Sequence, residues 1–159
     1  NIGVGEKDGE LVFSNFDNNA INYVQENGNN NSGLKVRVQT LNNLLNGKSP
    51  KIIKIDVEGY ELLALKGANE VLMNPDLEVI IIEINGHCRR YGNTEEEVFR
   101  FIASFGFKPV YYNPFTRKIN LLNNYNHDSD STIFIRDLKA ATFRVKHGEK
   151  IQIWKNCYI

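Results

Sequence analysis

The sequence predicts an α/β domain whose sheet is mostly parallel and closes with antiparallel strands, and three observations carry that expectation. Residues 51–55 and 78–84 are β-branched runs on either side of a helix-like stretch, 60–73, the spacing of a strand–helix–strand unit with a right-handed crossover. Val79, Ile80, Ile81 and Ile82 are consecutive, so the second strand is apolar on both faces, as parallel strands are when helices cover the sheet on both sides. Residues 107–112, 118–122 and 132–136 then read as three closing strands joined by loops at Asn113-Pro114 and 123–131.

The elements follow in order. Residues 10–14 alternate as a strand behind a Lys7-Asp8-Gly9 turn, and 34–39 alternate as another half-exposed strand. Thr40 can cap a short helix with Leu41, Leu44 and Leu45 on its apolar face and Gly47 at its end. In the 60–73 stretch, Leu62, Leu65, Val71 and Leu72 are spaced to pack on the sheet. Thr94 and Glu97 form a capping box for a helix that runs to Phe105 and stops at Gly106. The Asn-rich stretch 27–31 reads as a loop, and 150–154 as a last short strand.

Composition bounds the class. The 159 residues are 42% hydrophobic and 24% charged with formal net charge zero, enough for one domain with a buried core and too apolar for a disordered chain. No apolar run is long enough to span a bilayer, and no secretion signal is visible. Cys88 and Cys157 are too few for a disulfide framework or a zinc site, so a cytoplasmic setting is expected. From Arg136 onward six basic residues face Asp137 and Glu149; that tail reads as a solvated face, and a nucleic-acid surface is not expected because aromatic residues do not interleave it. On charge alone such a tail would favour phosphorylated or nucleotide-linked substrates.

Candidate chemistry gathers at two strand ends, where open parallel sheets bind ligands. Asp56 closes the first β-branched run, with Glu58 two residues on and Gly59 free to turn sharply into the next helix. Glu83 closes the second, followed by Asn85, Gly86 and His87. Adjacent strands lie about 4.8 Å apart, so Asp56, Glu58, Glu83 and His87 can line one crevice, where carboxylates raise one another's pKa as a general base or a cation site requires. Blander roles stand beside these: Asp56 as a helix cap, Glu58 and Glu61 as first-turn acids, His87 as a loop histidine. Glu83 has the poorest such alternative, because a carboxylate ending an apolar strand is costly unless paired.

The string KIDVEGYELLALKGA, residues 54–68, closely resembles the signature of FkbM-family methyltransferases, which use S-adenosylmethionine to methylate hydroxyl oxygens. Ile2-Gly3-Val4-Gly5 with Lys7-Asp8-Gly9-Glu10 resembles the family's third-strand end and turn, residues 36–45 the lead into the signature strand, 75–83 its fifth strand and 132–137 its last. Asn42 stands where the family usually has an acid after Thr40-Leu41. The resemblance implies a Rossmann-like methyltransferase sheet, with residues 1–159 a single partial domain and 137–159 a basic C-terminal extension. The family's first two strands, with its glycine-rich turn and ribose-binding acid, have no counterpart here, so the chain reads as the substrate-side part of such an enzyme.

By the same resemblance Gly3 and Asp56 belong to the cofactor side, with Asp56 serving the cofactor's amino-acid end or the acceptor. Glu58 or Glu83 is the expected base, with His87 in reserve. The expected partner is a small hydroxyl acceptor such as a sugar or glycolipid, and the exposed sheet edge favours self-association. No metal ligand is assigned; a variant has Asp56 and Glu83 hold a divalent ion that acidifies the hydroxyl. The alternative function is a non-catalytic, truncated or degenerate Rossmann-like domain that binds a glycan or a protein partner.

Overall fold

The computed structural model describes residues 1–15, 22–25, 33–155 and 157–158; the Asn-rich stretch 27–31 lies outside them. Among the described residues the chain is a mixed α/β fold with five α-helices and two main sheets. The first sheet holds β1 (Gly3–Val4), β2 (Gly9–Phe13), β3 (Val24–Gln25) and β4 (Leu34–Gln39) in the order β1-β4-β2-β3. After α1 (Leu41–Leu45), capped by the Thr40 side chain on the Asn43 amide, comes β5 (Ile52–Ile55). Then follow α2 (Glu61–Lys66), α3 (Asn69–Met73), β6 (Val79–Glu83), a 3-10 turn (His87–Tyr91) and α4 (Glu95–Ser104). The chain closes with β7 (Lys108–Asn113), β8 (Lys118–Leu121), β9 (Ser131–Ile135), α5 (Leu138–His147) and a small hairpin of β10 (Gln152–Trp154) and β11 (Cys157–Tyr158). The second sheet has the order β5-β6-β9-β7-β8.

The closing strands are antiparallel, as expected, but the sheet is not mostly parallel. Among the described residues only β1–β4 and β5–β6 pair in parallel; β9 inserts between β6 and β7, and both its ladders are antiparallel. The reason is the β7–β8 hairpin: the chain returns from β8 and lays β9 on the far side of β7, against β6, running opposite to both. Nor is the expected single sheet formed, since β1–β4 make a separate one.

The 60–73 stretch is likewise two short helices rather than one. At Gly67 the chain passes against the backbone of Gly5, where a Cβ would sit 3.1 Å from the Gly5 carbonyl carbon and closer still to its oxygen, so no side chain fits and α2 ends there.

The core lies between α2, α3 and α4 and one face of the second sheet. Leu65, Leu72, Leu77, Ile80, Ile82, Ile102 and Phe134 are almost wholly shielded from water, and each such side chain stabilises the fold by about 1.5–3 kcal/mol. The other face of β6 is only half-buried at Val79 and Ile81, so helices do not cover both faces equally. The capping box at α4 is present, with Thr94 accepting from the Glu97 amide and Glu97 accepting from Thr94. Arg136 is not part of a solvated basic face. Its guanidinium lies 4.2 Å from the centre of the Phe107 ring and donates to the carbonyls of Leu72, Asn74, Leu77 and Phe105, joining the ends of α3 and α4 to β9.

Candidate functional site

The parallel register of β5 and β6 builds the site. Ile55 pairs with Ile82, so one step further along both strands Asp56 comes level with Glu83. The turn between β5 and α2 then folds Glu58 back over them. Glu58 has φ of 54° and Gly59 of 101°, both in the left-handed region, which costs about 1–3 kcal/mol for a side-chain-bearing residue and is characteristic of functional turns. Gly59 is required twice over: besides its φ, a Cβ there would lie 2.6 Å from the His87 carbonyl carbon. Glu61, not Asp56, caps this turn. Its buried carboxylate accepts from the amides of Val57 at 3.3 Å and Gly59 at 3.0 Å, leaving Asp56 and Glu58 free to face the crevice.

Asp56, Glu58 and Glu83 each offer a carboxylate oxygen within 4.8 Å of the others. His87 joins them through its Nδ1, 3.1 Å from Glu58 Oε2. That same Nδ1 lies 3.1 Å from Asn85 Nδ2, so it either donates to Glu58 or accepts from Asn85. An ionised Glu58 favours the proton on Nδ1, which leaves Nε2 with its lone pair. The backbone of the pair is pinned as well: Asn85 Oδ1 accepts from the His87 amide at 3.2 Å, and Arg90 donates to the Glu58 carbonyl at 3.3 Å. Tyr91, at the end of the same 3-10 turn, donates to the Val24 carbonyl at 3.0 Å and packs edge-on against Tyr60 at 5.0 Å. The crevice is thereby tied to both sheets.

The two strand-end acids differ in character. The Lys54 ammonium, 2.5 Å from Asp56 Oδ2, holds the Asp56 carboxyl below the usual range. Burial pushes the Glu83 carboxyl up, and contact with Asp56 and the charges of Asp56, Glu58 and Glu61 push it further. Glu83 Oε2 is buried with no hydrogen-bond partner among the described residues. A carboxyl that holds its proton longer beside one that stays ionised is the arrangement from which acid and base roles separate.

The structure therefore brings Asp56, Glu58, Glu83 and His87 into one crevice. Gly3 is not placed there: it lies in β1, where a Cβ would meet Val38 and Phe13, so its smallness serves the packing of β1 on β4. Sequence reasoning missed Lys54, Asn85 and Arg90. Lys54 and Asn85 lie two residues from Asp56 and His87, and charged or amide neighbours at i±2 share a face of an extended strand or turn; Arg90 lies three residues beyond His87, one step of the 3-10 turn.

The Cys88 thiol is buried, and that burial pushes its pKa up, which disfavours the thiolate form. No helix among the described residues is long and apolar enough to cross a membrane.

Comparison with curated proteins and with solved structures gave no match. The family model for the methyltransferase FkbM domain matches residues 4–109, well over half of the chain and the whole of the acid crevice. The chain belongs to the FkbM methyltransferase family.

Proposed function

We propose that this chain is an S-adenosylmethionine-dependent O-methyltransferase acting on a hydroxyl of a sugar, glycolipid or similar small molecule. The observation that carries the reading is the Glu83 carboxyl, raised in pKa and with an unpartnered buried oxygen, beside ionised Asp56 and the Glu58–His87 pair.

The donor set suits the cofactor's charged end. Three carboxylates within 4.8 Å of one another, with Lys54 paired to Asp56 alone, leave an excess of negative charge that favours a sulfonium or an α-ammonium group. Asp56 would hold that end, and the cofactor when bound supplies an electrophilic methyl group. Glu83 and Glu58 then serve the acceptor. A carboxylate of raised pKa is a stronger base, and Glu83 is placed to take the hydroxyl proton. Glu58 fixes the His87 ring so that Nε2 can accept a hydrogen bond from the same or a neighbouring hydroxyl. A positioned base contributes roughly 10²- to 10⁴-fold.

The test has two arms. S-adenosylhomocysteine is titrated into the natural gene product by calorimetry, and methyl transfer from labelled S-adenosylmethionine to a panel of sugars is followed. Glu58→Gln and Glu83→Gln are expected to lower turnover by at least 10²-fold. Unchanged turnover in both variants, or a folded protein that does not bind S-adenosylhomocysteine, refutes the assignment.

One observation favours a second reading. Asp56, Glu58 and Glu83 have the spacing to hold a divalent cation, which would acidify the hydroxyl in place of a protein base. Lys54 competes for the Asp56 oxygen at 2.5 Å. Turnover insensitive to chelator dismisses the metal.

A further inference from the structure

A polar cavity of about 490 Å³ opens beside the acid crevice. One wall is the turn after β6, with Asn85 and Gly86, together with Glu95 at the start of α4; the other is the β8–β9 connection, from Tyr125 to Asp130. Resting on the methyltransferase reading above, we propose that this cavity is the acceptor pocket, that it takes a neutral or cationic sugar ring, and that it turns anionic sugars away.

Position comes first. Asn85 lines the cavity and lies 3.1 Å from His87, which lies 3.1 Å from Glu58, so the cavity adjoins the acid crevice across Asn85, although Asp56, Glu58, Glu83 and His87 do not themselves line it.

The lining comes second. Tyr125 and His127 hold their rings 4.2 Å apart at 48° within this mainly polar lining. Asn85, Asn126 and Ser129 offer donors and acceptors, and Asp128 and Asp130 offer oxygens that accept from hydroxyls or ammonium groups. A volume of this size holds one or two sugar rings.

Charge is the third argument. Glu95 is neutralised by Arg89 at 3.0 Å, whereas Asp128 and Asp130 pair with no cation among the described residues. The cavity therefore repels a phosphate or carboxylate, contrary to what the basic tail alone suggests.

The outer wall is also built to stay open. The Asn126 amide donates to the wholly buried Thr132 hydroxyl at 2.9 Å, the Ile84 amide to the Asp130 carbonyl at 2.6 Å, and the Asp128 amide to Asn126 Oδ1 at 3.1 Å. A wall ordered before binding does not charge its ordering entropy to the ligand. This outer wall lies beyond residue 109, where the family match ends, whereas Asn85, Gly86 and Glu95 opposite lie within it.

The test uses the ¹⁵N-labelled natural gene product at pH 7 without cofactor, titrated with methyl β-D-glucoside, glucosamine and glucose 6-phosphate. Shift changes at the amides of Gly86, Asn126 and His127 are expected for the first two, with glucose 6-phosphate at least about tenfold weaker. The double variant Asp128→Asn, Asp130→Asn is expected to narrow that gap to about threefold or less. Glucose 6-phosphate binding as tightly as the neutral glycoside, or no sugar perturbing these amides, overturns the proposal. A separate titration with S-adenosylhomocysteine keeps the two readings apart. Sugar binding without it refutes the methyltransferase reading and leaves the cavity's chemistry standing, and the converse refutes the cavity alone.

Discussion

Gly59→Ala tests how closely the acid crevice depends on one backbone contact. The new Cβ would lie 2.6 Å from the His87 carbonyl carbon and 3.1 Å from the Cys88 nitrogen, both backbone atoms that cannot swing aside. Restoring the 3.4 Å of ordinary contact to the His87 carbonyl oxygen, which is nearer still, moves the Glu58 turn and the His87 turn apart by about 1 Å. Two costs add: about 1–3 kcal/mol for a side-chain-bearing residue at φ of 101°, and about 1–3 kcal/mol for the overpacking. A total near 4 kcal/mol, the middle of the summed range, corresponds to a fall of about 8–16 °C in Tm for a chain of this size. The same displacement separates Glu58 from His87, and misplacement on this scale costs about 10²-fold in rate. Gly47→Ala is the control: its φ is 81° but nothing lies within 4 Å, so it carries the backbone strain without the clash. Thermal unfolding of both variants by circular dichroism, with methyl transfer measured in parallel, decides the matter. Gly59→Ala losing no more stability than Gly47→Ala, with turnover retained, would refute the reasoning.

Two further expectations follow from other parts of the molecule. Arg136→Met leaves four carbonyls without their guanidinium partner; with part of that loss made good by water, urea unfolding should show a destabilisation of about 3 kcal/mol, and a change below about 1 kcal/mol would be inconsistent with the bonds described. Glu83→Gln should stabilise the fold at neutral pH by about 1 kcal/mol, because the amide can donate to Asp56 and a carboxylate facing the charges of Asp56, Glu58 and Glu61 is removed. The sign follows from the raised carboxyl. The native state keeps the Glu83 proton longer than the unfolded chain, so native stability is fully present below the ordinary carboxyl value of 4.5 and is lost as pH rises through the folded value. The advantage of Glu83→Gln should therefore vanish in acid, and an advantage independent of pH would contradict this account. Asp56, held low by Lys54, contributes in the opposite sense.

Much of this was legible in the residues because the information is local. The capping box at Thr94 needs only four consecutive residues, and β6 declares itself by four β-branched side chains in a row. The convergence of Asp56 and Glu83 was legible too, since two acids ending neighbouring parallel strands meet wherever the register is even, and Ile55 pairs with Ile82. The role of Arg136 was not. In the chain it is the first of six basic residues, and only the approach of α3, α4 and Phe107 gives its five donors something better than water. The break at Gly67 was equally hidden, because what ends the helix is the backbone of Gly5, 62 positions away.

The sequence by itself determined most of the elements, though not α5 or the break at Gly67, together with the acids at the strand ends and the family, all of which rest on side-chain type and short-range spacing. Tertiary structure decided three other things: that β9 enters between β6 and β7, that Glu61 rather than Asp56 caps the turn, and that His87 finds Glu58. Those outcomes turn on strand order and on a left-handed turn at Glu58 and Gly59, which arise from the competition of whole surfaces for burial and of backbone groups for partners. No local window of residues contains that competition.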